Sequence, residues 1–407
     1  MGAYVVLFLA VLYFILAESD RTTQFNADIW LLLDPFGVAM VRDSIDSMTT
    51  DTDLLTFSDL LFINRLLWIG LALGMLAQAE AHFSFDTFRN DQAARASTTD
   101  KPADPVVNAY AVPAVRLRFD WRARWRTTLH LARLEFVNLE RQPSFQITTG
   151  LLVVLAVLLA TVFTVNPDFP ELPITSRMTA LRLPMGLFIG LFLVLMTGEL
   201  IFTERTTGFW PIYDALPQPD SVLFVSKLLV LAGSAIILTF VLFLTGIGIQ
   251  LGQGFYRIDW GQYASDLLLD GFMRYCQLIA LASLVAVLTN NRVICHLVNV
   301  FIFLTLTLVY QFGAHADFTC LYSFLPGSSR YSELIGYGAN MPVRPTVHLI
   351  WWGVAGLLVI GSVLGWNRGL PDSLPLRFKQ WSSRFSWCYG LVSLFLVLFV
   401  LFFSLQL

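Results

Sequence analysis

Residues 183–227 read LPMGLFIGLFLVLMTGELIFTERTTGFWPIYDALPQPDSVLFVSK, an apolar run, a short broken stretch and the start of a second apolar run. The first run approaches the ~20 apolar residues that a helix needs to cross a bilayer. The stretch TTGFWPIYDALPQP (206–219) is too apolar for a free loop and too short for another crossing. The pattern predicts two membrane-spanning helices joined either by a short helix presented to a partner or by a plain interfacial turn.

Similar apolar runs recur along the whole chain. Of its 407 residues, 56% are hydrophobic and only 14% are charged, whereas a soluble protein carries roughly a quarter charged residues. The sequence therefore predicts an all-α, polytopic membrane protein with about nine transmembrane helices. The first run lacks the charged start and the cleavage site of a secretion signal, so we interpret it as a retained helix. The nine runs are residues 3–17, 62–79, 148–165, 183–203, 222–250, 264–289, 293–312, 347–366 and 387–406.

Charged residues between the runs are distributed unevenly. Segments 80–147 and 367–386 are basic, whereas the 18–61 loop is acidic. Because lysine and arginine near short loops stay in the cytoplasm, we expect a cytoplasmic N-terminus and, after nine crossings, an external C-terminus. The basic residues include Arg116, Arg118, Arg122, Arg124, Arg126, Arg368, Arg377, Lys379 and Arg384, and the acidic loop holds Asp20, Asp28, Asp34, Asp43, Asp46, Asp51, Asp53 and Asp59.

A linker and an interfacial helix are predicted between the second and third runs. Residues 86–115 are polar, contain three prolines and show no periodicity, as in a linker. Residues 121–145, WRARWRTTLHLARLEFVNLERQPSF, interleave basic with apolar side chains and predict an amphipathic helix at the cytoplasmic surface. Arginine with aromatic residues also occurs in nucleic-acid-binding segments, but beside a transmembrane helix it favours lipid head groups, so we expect no nucleic-acid partner.

The motifs of enzymes are missing from the sequence. There is no HExxH zinc motif and no GxxxxGK[ST] loop for ATP phosphates. The five histidines do not cluster at ligand spacing, and the four cysteines form no CxxC pair. We therefore expect no catalytic residues, no metal site and no cofactor, and we do not interpret the chain as an enzyme.

Glu199 is the charged residue that the pattern singles out. It falls inside an apolar run, where a carboxylate is costly, and Glu204 and Arg205 mark the membrane edge that follows. A carboxylate at this depth needs a partner, either an arginine of the interfacial helix, with Arg133 and Arg141 as candidates, or backbone amides. The alternative is a side chain that reaches water and has no further role.

Seven stretches resemble a known family of membrane proteins. They are LLDPFG (32–37), NRLLWIG (64–70), GELIFTER (198–205), DALPQPD (214–220), GFYRIDWGQY (254–263), LTNNR (288–292) and YSELIGYG (331–338). In this order and hydrophobic setting, they make the chain similar to ABC-2 type transporter permeases. The chain most resembles the permease portion of bacterial proteins that fuse such a permease to an M1-family aminopeptidase, although the peptidase domain is absent here.

The resemblance implies a division of the chain. Residues 1–80 look like the last two helices of a preceding permease half, and 81–126 form a cytoplasmic linker. Residues 127–366 correspond to a six-helix ABC-2 transmembrane domain with its interfacial helix, and 367–407 hold a basic loop and a final helix. The chain is then a split subunit or one piece of a longer gene product.

The resemblance also implies a function and partners. The chain would be the permease subunit of an ABC transporter in a bacterial cytoplasmic membrane, an exporter by class. A separate ATPase subunit would dock on a coupling helix, and the second permease half would be another chain or another copy. An M1-type peptidase on a separate chain is a further candidate partner. The residues assigned to coupling are Glu199, Glu204, Arg205, Phe209, Trp210, Tyr213 and Pro217, with Ile212 as an additional apolar anchor.

A second class of transporter remains open from the residues alone. A secondary transporter or channel would use intramembrane charges such as Glu199, Asp266, Asp270 and Arg274. Such proteins usually contain inverted repeats and broken helices near the membrane midplane, and no repeat is visible between the halves of this chain. The sequence does not identify the cargo.

Overall fold

The computed structural model of the chain describes residues 59–82, 120–164, 172–312, 321–323, 331, 334, 336–337, 343–366, 368, 381 and 383–405. The regular elements within these ranges are helices. Their bounds are α1 Asp59–His82, α2 Trp121–Glu140, α3 Pro143–Thr164, α4 Thr175–Ala180, α5 Arg182–Thr206, α6 Trp210–Asp214, α7 Asp220–Gly252, α8 Trp260–Tyr263, a π-helix Ala264–Gly271, α9 Phe272–Thr289, α10 Arg292–Phe312, α11 Val343–Gly365 and α12 Trp387–Ser404.

The fold class predicted from sequence is confirmed. Six of the described helical stretches are long and apolar enough to cross a membrane, and two shorter ones, Phe62–Gly74 and Arg292–Thr307, are also apolar. The last eight predicted runs each coincide with a described helix, and the first run lies outside the described residues. The protein is thus an all-α, multi-pass membrane protein, and the total of nine crossings stays a prediction.

The chain divides into two compact units, residues 16–118 and residues 1–15 with 119–407. In the described part of the first unit, α1 exposes large apolar side chains such as Phe62, Leu66 and Leu73, as expected of a helix in lipid. The second unit contains α2 to α12 and every contact described below.

Helix α7 is the central element of the second unit. It contacts α2, α3, α5 and α9, and its buried residues include Leu231 and Leu238. They join one core with Leu155 of α3, Phe192 of α5 and Ile279 of α9. With 33 residues, α7 is about 50 Å long, which exceeds the ~30 Å hydrocarbon core of a bilayer.

Glycine lets α5 and α10 approach closely. A Cβ atom on Gly190 would lie 2.7 Å from the Phe303 ring, and one on Gly198 would lie 2.7 Å from Cε1 of His296. Such contacts are typical of small residues between membrane helices. Helix α12 has no buried residue but packs closely on α11, where a Cβ atom on Gly353 would lie 2.5 Å from Val400 and one on Gly356 would lie 3.0 Å from Leu396.

The bundle has two ends, which we name by their loops. The basal end is where α5 ends and α7 begins, and the turn between α9 and α10 lies beside it through an Arg205–Asn290 hydrogen bond. The apical end is where α5 begins, close to the π-helix, as the Arg182–Asp270 contact shows. The π-helix continues directly into α9, and such rare segments are frequently found at functional sites.

Candidate functional site at the basal end

The basal loop, residues 207–219, carries the chain from α5 to α7. Gly208 has a φ of +73°, which glycine adopts without strain and which lets the backbone leave α5. Pro211 stands in the first turn of α6, where its missing N–H removes no helical hydrogen bond. Helix α6 ends at Asp214, before Pro217, and Pro219 is the N-cap of α7. Of the two alternatives left open by the sequence, a short helix is therefore present, and its presentation to a partner stays a prediction.

The basal loop divides its apolar side chains between two directions. Phe209, Ile212 and Leu216, three and four residues apart, expose 49%, 62% and 36% of their surface. We call these three residues the basal ridge. Trp210 is half-buried, and Tyr213 is buried with only 7% exposed. Of the predicted anchors, Phe209 and Ile212 are therefore the most available to a partner, and Tyr213 packs into the bundle.

Lys227 of α7 lies at the centre of the basal end and is 1% exposed. Its Nζ atom is 2.6 Å from Oε1 of Glu204, donates a hydrogen bond to the Leu200 carbonyl at 2.8 Å and is 3.7 Å from Oε1 of Glu135. It also lies over the Tyr213 ring, 5.7 Å from its centroid. One ammonium group thus joins α2, α5, α6 and α7, and we call Glu135, Glu204 and Lys227 the basal cluster.

The basal cluster has two carboxylates for one ammonium group. Burial raises the pKa of Glu135 to about 7, because removal from water disfavours its charged form; Lys227 opposes this effect and Glu204 adds to it. Burial likewise raises the pKa of Tyr213, so its phenol stays protonated. A buried charge is tolerated when it is paired and hydrogen-bonded, and Lys227 meets both conditions.

Glu135 was not singled out by the sequence analysis, although the sequence contains a signal for it. Thr128, Ala132 and Leu139 are the buried residues of α2. Glu135 lies on the same face, at spacings of three and four residues. A lone carboxylate on the buried face of a basic helix could have indicated a buried cationic partner.

Glu199 pairs with α10. Its Oε1 atom accepts a hydrogen bond from Arg292 at 2.7 Å and lies 3.2 Å from Nε2 of His296. The expectation that Arg133 or Arg141 would be its partner is therefore wrong. Glu199 lies on the face of α5 that packs on α10, whereas α2 packs on α7. The Glu199 side chain is 37% exposed and the Arg292 side chain is 47% exposed. Water therefore screens this pair more than it screens the basal cluster.

Arg205 connects α5 to the next basal turn. It donates a hydrogen bond to Oδ1 of Asn290, which has a left-handed φ of 48° that asparagine tolerates well. The adjacent Asn291 caps α10 by accepting hydrogen bonds from the backbone N–H groups of Val293 and Ile294. The cap explains how the chain reverses between two membrane helices in so few residues.

A pocket at the basal end adjoins the basal cluster. Its walls come from the end of α5, from the basal loop, from the α9–α10 turn and from the end of α11. A partner side chain that entered it would contact several elements at once. The polar and aromatic lining residues are Phe202, Glu204, Arg205, Trp210, Tyr213, Asp214, Asn290 and Trp366.

The apical end contains a second buried group of charges. Arg182 lies 3.2 Å from Asp270 and 3.5 Å from Asp266, both in the π-helix. Nε2 of His348 is 3.0 Å from the other oxygen of Asp270, and the Tyr337 hydroxyl donates a hydrogen bond to Asp266 at 2.7 Å. We call Arg182, Asp266, Asp270 and His348 the apical cluster.

Arg274, another charge considered in the sequence analysis, lies in the first turn of α9. Its carbonyl accepts a hydrogen bond from the Ser323 hydroxyl, and the nearby Gln277 carbonyl accepts one from Tyr322. The described part of the segment before α11 is thus fastened to α9. Arg274 and the apical cluster lie at the other end of α5 from Glu199.

Metal-ligating side chains do not gather within the described residues, where no group of three or more could hold an ion. Cys276, Cys295 and Cys388 are free thiols, and Cys320 lies outside the described residues. The charged side chains described above instead form a framework of ion pairs that joins the helices at both ends of the bundle.

The chain matches a known protein family over part of its length. No curated protein and no solved structure matches the chain significantly. Residues 131–313, which run from within α2 through the basal loop to the end of α10, match the model of a family described as ABC-2 family transporter protein. The match covers the basal cluster and supports an ABC-2 type permease.

Proposed function

We propose that the chain is the membrane-spanning permease subunit of an ATP-binding cassette transporter, energised by a separate ATPase subunit. One observation carries the proposal: the exposed basal ridge lies on a loop that Lys227 joins to three further elements. A partner that moved the ridge would therefore move α2, α5 and α7 together. The ABC-2 family match over residues 131–313 supports the same function.

The basal end is then cytoplasmic, where ATP is available. Arginines support this orientation, because Arg122, Arg124 and Arg126 of α2 are exposed and α2 meets the basal cluster. With nine crossings, this orientation leaves the C-terminus outside a bacterial cytoplasmic membrane. Export is the direction that the resemblance to ABC-2 permeases favours.

The permease needs a second half to enclose a two-sided pathway. The single six-helix domain implied for residues 127–366 pairs in this proposal with another permease chain or with a second copy. The resemblance to fusion proteins adds an M1-type peptidase on a separate chain as a partner. Both are tested by the composition of the complex purified from native membranes.

The basal ridge gives a direct test of the ATPase partner. Phe209→Asp with Ile212→Asp places two charges where the ATPase would bury apolar side chains. Well-buried anchors contribute about 2 kcal/mol or more each, and loss of one such anchor weakens Kd roughly 30-fold. We expect the double variant to insert normally but to lose co-purification with the ATPase and stimulation of ATP hydrolysis.

A matched control is Tyr256→Asp, because Tyr256 is 76% exposed and follows the apical end of α7. It changes an exposed aromatic residue far from the ridge and should leave the ATPase bound. Unchanged ATPase association in the ridge variant, measured by pull-down and by surface binding assays in nanodiscs, would refute the docking assignment. Transport by the reconstituted permease alone, driven by a proton gradient in the absence of ATP and ATPase, would favour a secondary transporter.

A further inference from the structure

Arg368, just beyond the end of α11, reaches across to the basal loop. Its Nε atom donates to Oδ1 of Asp220 at 2.5 Å, and its Nη1 atom donates to the Leu216 carbonyl at 2.9 Å and the Asp214 carbonyl at 3.3 Å. Its Nη2 atom donates to the Gln218 carbonyl. One guanidinium group therefore holds the end of α6, the turn after it and the start of α7.

This pattern needs arginine. A guanidinium group has five N–H donors in a fixed plane, whereas a lysine ammonium is a single point with three. The carbonyls that Arg368 contacts follow a helix C-terminus, where they lack helical partners and attract positive charge. Lysine could reach Asp220 or one carbonyl, but it could not join all four acceptors at once.

Arg384, just before α12, completes the arrangement. It lies 3.5 Å from the second oxygen of Asp220 and donates a hydrogen bond to the Trp366 carbonyl at the end of α11. Trp366 in turn packs edge-on against Phe224 of α7, with ring centroids 5.5 Å apart. Asp220 is therefore held by residues on both sides of the connection between α11 and α12.

We propose that Arg368 and Arg384 form a clamp that makes the basal loop move as one body with α11 and α12. This rests on the proposed function and deepens it. Docking on the ridge would act on the bundle by two routes, through Lys227 to α2, α5 and α7, and through the clamp to α11 and α12. Arg368 is a positioning residue in this scheme, because it touches neither ATP nor cargo.

The first test needs no ATPase partner. Hydrogen exchange is measured by mass spectrometry on the full chain in nanodiscs, for wild type, Arg368→Ala, Arg368→Lys and Arg257→Ala. Arg257 is an exposed arginine near the apical end of α7 and serves as the control. We expect exchange at residues 214–222 to rise about five-fold or more in Arg368→Ala, by an intermediate factor in Arg368→Lys, and not in Arg257→Ala.

The second test measures coupling in proteoliposomes with the ATPase present. In Arg368→Ala we expect ATPase binding to persist while transport per ATP hydrolysed falls about five-fold, the lower end of common coupling effects. Arg368→Lys should recover part of this ratio. If Arg368→Ala fails to fold, Arg368→Lys alone carries both measurements, since it retains the positive charge.

The outcomes separate the two proposals. A wild-type chain that neither binds nor stimulates an ATPase would contradict the proposed function, whatever the exchange data show. Wild-type coupling together with unchanged exchange in Arg368→Ala would overturn the clamp and leave the ATPase assignment intact. Raised exchange with an unchanged transport-to-ATP ratio would also overturn the clamp as a coupling route.

Discussion

The basal and apical clusters each place two carboxylates beside one lysine or arginine, but they are built on different frameworks. The basal cluster is centred on Lys227 of a long regular helix and lies directly behind the exposed basal ridge. In the apical cluster both carboxylates come from one π-helix, and Arg182 and His348 reach them from α5 and α11. The basal cluster therefore joins elements to a surface that a partner can move, whereas the apical cluster fastens a distorted segment to its neighbours.

This difference separates two uses of buried charge. A buried ion pair seldom adds much net stability compared with apolar packing, although removal of one partner is strongly destabilising. Such pairs therefore fix which elements move together. We infer that the basal cluster transmits movement and that the apical cluster resists it, and four predictions test this contrast.

Loss of Lys227 should have the largest effect. Lys227→Met keeps the length and apolar stem of the side chain but leaves Glu135 and Glu204 facing each other without a cation. Removal of one partner of a buried pair costs about 3–5 kcal/mol. We expect a large drop in the apparent Tm in detergent, measured by fluorescence-detected size exclusion after heating. The triple variant Lys227→Met, Glu135→Gln, Glu204→Gln should recover much of the lost apparent Tm. An unchanged apparent Tm in the single Lys227→Met variant would show that the basal cluster does not hold the basal end together.

The apical cluster should respond more weakly to a comparable change. Asp270→Asn removes one carboxylate, but Arg182 keeps Asp266 within 3.5 Å. A hydrogen bond to a charged group contributes about 1.5–3 kcal/mol. We expect a smaller fall in apparent Tm than for Lys227→Met and an unchanged ratio of transport to ATP hydrolysed. A strongly reduced ratio of transport to ATP hydrolysed, together with a normal apparent Tm, would mean that the apical cluster also transmits movement.

The pH dependence of stability should arise at the basal end and be smaller again. The pKa of Glu135 is raised from 4.5 to about 7 in the folded protein. Between these values the folded chain holds a proton that the unfolded chain releases, so this stabilisation is complete below pH 4.5 and is lost as pH rises through about 7. We expect the apparent Tm to fall from pH 5 to pH 8 and the slope to flatten in Glu135→Gln. An equal slope in both proteins would contradict the assignment.

Glu199→Gln should change stability least. Its pair with Arg292 is 37% to 47% exposed, and ion pairs of this kind contribute about 1 kcal/mol or less. Because the pair joins α5 to α10, we nevertheless expect transport to be uncoupled from ATP hydrolysis more than protein abundance is lowered. Transport and ATPase assays in proteoliposomes, normalised to inserted protein, measure both. Wild-type transport would leave Glu199 as a solvent-screened pair without a role in coupling.

The positions of the membrane helices could be predicted from the sequence because bilayer thickness imposes a long, uniform apolar run on each one. A connection that breaks the helix was also predictable between α5 and α7, since Gly208, Pro211 and Pro219 act on the backbone locally, but a short helix and a plain turn fitted the sequence equally well. The sequence could not predict which of Tyr213 and Ile212 faces outward, because this depends on Lys227, which lies on another helix.

Side-chain partners were harder to predict, because they depend on which helices are neighbours. Glu199 and Arg292 are 93 residues apart, and Arg368 and Asp220 are 148 apart. Charge alone made Arg133 and Arg141 equally reasonable partners for Glu199. The π-helix was missed for a different reason, since the apolar pattern of residues 264–289 is compatible with an uninterrupted α-helix.

The length of α7 links the basal cluster to the lipid around it. The 22 residues between Lys227 and Gln250 are all uncharged and form about 33 Å of helix, against a hydrocarbon core of ~30 Å. We therefore expect Lys227 to lie close to the boundary between acyl chains and head groups. A thicker bilayer would draw the ammonium group toward the acyl chains, and a thinner one would hydrate it or tilt α7. The lipid composition of the membrane thus becomes a variable that sets how firmly the basal loop is held.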